Sequence, residues 1–79
     1  MQLLDYLKSL TKEARETFAG ACDTSVDYLF QVAYGQRRPK AALAVSIERN
    51  SGGRVRCESL LPDVDWAYVR ANPAQGQLS

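Results

Sequence analysis

The sequence has no histidine. That absence removes imidazole acid–base catalysis and most zinc sites together. Cysteine is scarce too: Cys22 and Cys57 lie far apart and form no CxxC unit. Two thiols without histidine make a poor metal site. Nothing marks the chain as secreted, so Cys22 reads as a small buried hydrophobe rather than half of a disulfide. No apolar run approaches the roughly 20 residues that span a bilayer. The stretch Met1 to Leu10 carries Asp5 and Lys8 and lacks a signal-peptide layout. A soluble, cytoplasmic protein is therefore expected. One-sided charge is missing as well, with 10 basic against 9 acidic side chains and a net charge of +1. No cofactor motif and no metal motif appears, and an enzyme is not expected.

What remains is enough for one small domain. The chain has 79 residues, of which 46% are hydrophobic, so a folded core is expected rather than disorder. Most of it reads as short helices with polar breaks, an all-α fold. Helix 1 is predicted over about Gln2 to Leu10, with Leu3, Tyr6, Leu7 and Leu10 on one face. Thr11 caps a second helix, about Lys12 to Cys22. Its apolar set is Ala14, Phe18, Ala21 and Cys22, with Ala19 beside it and Arg15 on the solvated side. A third helix runs from about Val26 to Tyr34 and stops at Gly35. Pro39 suits the first turn of a fourth, about Lys40 to Arg49, with Leu43, Ala44 and Ile47 inward. Arg54-Val55-Arg56 is ambiguous. A short helical piece covers Glu58 to Leu61, and a last one Val64 to Arg70. Residues 1–70 form the domain, and 71–79 read as a flexible tail.

The informative segment is Arg15 to Gly35. A helix, a three-residue break and a second helix make a helix-turn-helix layout. Ala19 is small enough for the helix contact, and Asp23 tolerates an unusual backbone better than most residues. Thr24 or Ser25 can cap the second helix, with Asp27 completing a start signal after Thr24. Val26, Leu29, Val32 and Ala33 form an inward stripe. Asp27, Phe30, Gln31 and Tyr34 form a separate face, the candidate reading face. Gln31 can pair with adenine N6 and N7, and Asp27 can accept from cytosine N4. Phe30 or Val26 can touch a thymine methyl. Ser25 and Thr24 can bond phosphate, and Tyr28 and Tyr34 offer hydroxyls at a groove edge. Between residues 36 and 57, Arg37, Arg38, Lys40, Arg49, Arg54 and Arg56 are opposed by Glu48 alone. The neutral total hides a basic middle. Arg49, Arg54 and Arg56 read most simply as a solvated face. Asp63 and Asp65 make a carboxylate pair with no catalytic partner nearby.

At these residues the chain resembles a known family. The run Thr24-Ser25-Val26-Asp27-Tyr28-Leu29-Phe30-Gln31-Val32-Ala33-Tyr34-Gly35-Gln36-Arg37-Arg38-Pro39 looks like the recognition-helix region of prophage Cro-like regulators, and is most similar to the YdaS-like antitoxin group. Leu4-Asp5-Tyr6-Leu7 and the run Ile47-Glu48-Arg49, Gly52-Gly53, Val55, Leu60, Pro62-Asp63 and Asp65-Trp66 are similar too. The resemblance covers about residues 2–70. It implies a lambda-repressor-like domain of about five short helices, encoded by a prophage in a bacterial host. It implies a repressor that binds operator DNA as a homodimer. By position, Ser25, Val26, Asp27, Phe30 and Gln31 would face bases. Thr24, Tyr28, Tyr34, Arg37, Arg38 and Lys40 would lie along phosphates. Val64, Trp66 and Tyr68 are a candidate dimer surface, with Trp66 equally suited to the core. The alternative is an antitoxin or anti-activator whose main partner is a toxin or another regulatory protein.

Overall fold

A computed structural model describes residues 1–71. Among them there are six helices: α1 (Leu3–Ser9), α2 (Lys12–Ala21), α3 (Val26–Ala33), α4 (Ala41–Asn50), α5 (Cys57–Leu60) and α6 (Trp66–Ala71). No strand occurs among the described residues. Each of the six helical pieces read from the sequence is present, in keeping with the about five that the resemblance implies, and Pro62 and Asp63 separate α5 from α6 by a turn. Ala71 ends α6 rather than opening a tail, and the rest of the predicted tail lies outside the described residues.

Helix ends fall within a residue or two of the sequence-based bounds, and the caps explain the shifts. Thr11 accepts from the Ala14 N–H and starts α2. Pro39 sits one residue before the α4 cap, Lys40, and is buried. Three helices end in the same way. After α2, Thr24 N–H returns to Ala19 C=O and Asp23 N–H to Gly20 C=O. After α3, Gln36 returns to Gln31 and Gly35 to Val32. After α4, Gly53 returns to Glu48 and Gly52 to Arg49. This paired closure needs a left-handed residue at its pivot. Gly35 (φ 78) and Gly52 (φ 66) supply it freely, and Asp23 (φ 58) supplies it at some cost.

The first core cluster joins Leu3 and Leu7 of α1, Phe18 and Ala19 of α2, Leu29 and Val32 of α3, Ile47 of α4, and Cys22 and Val55. Val55, ambiguous in sequence, is fully buried. The second cluster joins Ala44, Cys57, Leu61 and Trp66. Trp66 is 4% exposed, and its indole N–H donates to Leu61 C=O at 2.7 Å. That pairing satisfies the indole and removes Trp66 from the proposed dimer surface. Val64 also packs against this cluster, half-buried, so of that trio Tyr68 alone stands well exposed.

Two expectations about α2 change. Ala21 is exposed, since Ala19 and Cys22 occupy the inward positions. Arg15 is not on a solvated face. Its Nε donates to Leu7 C=O at 2.8 Å and its Nη2 to Leu10 C=O at 2.9 Å. The guanidinium thereby adds a second donor to the Leu7 carbonyl, which already accepts from Leu10 N–H at 3.3 Å, and ties down the Leu10 carbonyl just beyond α1. Cys22 and Cys57 are both free and buried, one in each cluster. Burial, with Glu48 beside it, pushes the Cys57 thiol up to about 11.

The α4–α5–α6 end is tied by charge. Glu48 Oε1 accepts from Cys57 N–H at 2.9 Å and from Arg70 Nη2 at 2.7 Å. Arg70 also holds Glu58, and Arg56 lies 3.6 Å from Glu48. Arg56 is thus part of a structural network as well as a solvated cation. The Arg70 hydrogen bonds hold the Glu48 carboxyl at about 2, well below the usual carboxylate range.

Candidate nucleic-acid interface

Helix α3 exists because its inward stripe is apolar and its start is capped. Leu29 and Val32 are buried, while Val26 and Ala33 pack half-buried against the core. Ser25, rather than Thr24, is the cap: its Oγ accepts from Tyr28 N–H at 3.1 Å. α3 packs on α1 and α2, which fixes its orientation. Ala19, 2% exposed, lets α2 come close, as its size predicts. The turn at Asp23 is left-handed, as the helix-turn-helix layout requires.

The five residues predicted to face bases do not stand out equally. Ser25 and Asp27 are exposed, and Gln31 is half-buried. Val26 and Phe30 give part of their surface to the core. Phe30 is flanked by the Arg15 guanidinium, 5.8 Å from the ring centroid, and by the Tyr34 ring at 6.2 Å. Both contacts are favourable for an aromatic ring. Of the five, the polar side chains that reach solvent are Ser25, Asp27 and, in part, Gln31.

The six predicted phosphate residues fall into two groups, one at each end of α3. Thr24, Tyr28 and Lys40 line a groove of about 480 Å³ beside the start of the helix. Arg37 and Arg38 line a cleft of about 330 Å³ beyond its end, near exposed Tyr34. A helix lying in a DNA groove has a phosphate strand near each side, so flanking cations are the useful arrangement. Lys40 caps α4 through its backbone with no side-chain cap bond. Ala42, Leu43 and Ser46 of α4 line the same groove. Sequence reading missed that contribution.

The basic middle is smaller in space than in sequence. Arg38 Nη2 holds both Asp63 oxygens, at 3.0 and 2.9 Å. This pair holds the Asp63 carboxyl below its ordinary range. Arg38 is thus not the free cation that the sequence implied. Asp65 is spent as well: its Oδ1 accepts from Tyr68 N–H at the start of α6. Lys40 and Arg37 carry the cationic character next to α3. Arg37 Nε donates to Gln31 Oε1 at 3.1 Å.

With this geometry in view, one curated relative is informative. The chain is similar to the "Putative transcriptional regulator YdaS" of Escherichia coli (strain K12). The two are 42% identical over 43 residues, covering 54% of this chain. The match takes in 44% of that protein, so the chain spans less than half the length of the relative it matches. No family model matches the chain, and no solved structure gives a significant match. Among the described residues, no helix is long and apolar enough to cross a membrane.

Proposed function

We propose that the chain is a sequence-specific DNA-binding transcriptional regulator of the prophage Cro-like kind, acting in the bacterial cytoplasm by occupying an operator. One observation carries the reading. A capped α3 is joined to α2 through a left-handed turn at Asp23, with polar side chains outward and cation-bearing grooves at both ends. The similarity to a transcriptional regulator supports it. In this reading α3 enters the major groove. Ser25, Asp27 and Gln31 meet base edges, and Val26 and Phe30 add apolar contact to thymine methyls. Thr24, Tyr28 and Lys40 lie along one phosphate strand. Tyr34 and Arg37 lie along the other, with Arg38 sharing its charge with Asp63. A homodimer places two such helices about 34 Å apart, one DNA turn, to read two half-sites. The bound dimer then blocks polymerase by occupancy.

Binding titrations at several salt concentrations test the site. Lys40→Gln should weaken every probe and lower the salt slope by about one. Gln31→Ala should relax one base pair, at roughly 1–3 kcal/mol. If neither variant changes the affinity of any probe, the reading face is wrongly placed.

A second reading is favoured by one feature. Tyr34 is 58% exposed and stacks on Phe30. Such an aromatic pair suits a docking patch for a toxin or regulatory protein, as in an antitoxin or anti-activator. A tight stoichiometric partner, together with no enriched DNA sequence, would decide for it.

A further inference from the structure

In the proposed role, Gln31 reads bases and Arg37 holds phosphate as separate tasks. The structure joins the two side chains. Arg37 Nε donates to Gln31 Oε1 at 3.1 Å. Chemistry fixes the amide's orientation, because arginine has donors and no acceptor. The atom facing it must be the amide oxygen.

The contact is a product of how α3 ends. Gly35, at φ 78, turns the chain back on itself. Gln36 N–H then donates to Gln31 C=O at 2.8 Å, and Arg37 N–H to the same carbonyl at 3.3 Å. Backbone and side chain of residue 37 are thus both tied to residue 31. A residue six positions away is delivered to one particular amide by a glycine-dependent turn.

The amide's hydrogen-bonding pattern is narrowed by this contact. One lone pair of Oε1 is occupied, and the two Nε2 hydrogens are directed away from the guanidinium. The Nε bond leaves both Arg37 Nη groups to donate elsewhere. A phosphate seated on them would hold guanidinium and amide as one unit. We infer that Arg37 is a positioning residue for Gln31, so that sequence preference at the base pair read by Gln31 depends on a side chain outside the reading helix. The inference rests on the DNA-reading role proposed above. It departs from a simple phosphate contact, which would change affinity for all sequences by one factor.

A double-mutant cycle separates the two. Wild type, Arg37→Met, Gln31→Ala and the double variant are titrated by fluorescence anisotropy. The probes are the duplex selected by wild type and duplexes substituted at each base pair. Arg37→Met should reduce discrimination about three- to tenfold at the base pair that Gln31→Ala relaxes, the worth of one hydrogen bond. In the Gln31→Ala background the same change should scale all duplexes alike. Arg37→Lys, which keeps the cation without the planar fork, should recover general affinity and only part of the discrimination. Equal scaling of all duplexes by Arg37→Met in the wild-type background would overturn the inference and leave DNA reading intact. A wild-type protein that selects no sequence would overturn both.

Discussion

Replacing Glu48 by glutamine tests how the α4–α5–α6 end is held. Glu48 is 19% exposed and faces Arg70, which is 41% exposed. Its Oε1 also accepts from Cys57 N–H at 2.9 Å. In the folded chain its carboxyl titrates at about 2, against an ordinary value of 4.5. At about 1.4 kcal/mol per unit, that difference corresponds to about 3 kcal/mol at neutral pH. Solvent around Arg70 screens part of it, leaving about 2 kcal/mol. For a domain with stability on the order of 5 kcal/mol, this is a large share. A carboxyl depressed by folding stabilises above its unfolded value, and the contribution fades as pH falls from 4.5 towards 2. The assay is urea unfolding followed by Trp66, the one tryptophan and a buried one. Glu48→Gln should lose about 2 kcal/mol at pH 7 relative to wild type. The gap should shrink as the pH falls through that window. A gap below about 0.5 kcal/mol at pH 7, or one that does not change with pH, would show that the Glu48 charge does not hold this end of the fold.

Three further outcomes follow from named contacts. Arg15→Met removes the bonds to Leu7 and Leu10 carbonyls and should cost about 1–3 kcal/mol in urea titration; an unchanged midpoint would show that solvent replaces the guanidinium. Asp23→Gly relieves a left-handed non-glycine residue and should raise stability by about 0.5–1 kcal/mol. A lower melting temperature would place the Asp23 side chain in a stabilising role. Asp63→Asn frees Arg38 at an exposed pair, so stability should hardly move, while the salt slope of DNA binding should steepen by up to about one; an unchanged slope would exclude Arg38 from the phosphate contact.

Local signals were legible where local chemistry decides. Thr11, Ser25 and Gly35 mark helix ends because caps and left-handed closures act within a few residues. Asp23 was readable as a turn residue, and Ala19 as the small residue under the helix contact. The Leu29 and Val32 stripe emerged from periodicity alone. Illegible features depend on reach across the fold. Arg15 looked solvated because nothing in its own helix announces the Leu7 and Leu10 carbonyls that its guanidinium reaches. Arg38 looked free because its partner, Asp63, is 25 positions away. Arg56 and Arg70 converge on Glu48 and Glu58 only once α4, α5 and α6 have packed. Trp66 suited both core and surface until Leu61 C=O supplied a partner for its indole. The Gln31–Arg37 contact required the α3 closure, which sets residues six apart side by side.

The proposed role requires that α3 read DNA sequence. Selection of bound duplexes from a random pool, at one stated salt concentration, tests it most directly. Enrichment of an inverted repeat with half-sites about 10 base pairs apart, centre to centre, is the expected result. A pool that stays random through successive rounds, with the folded protein present, would contradict it.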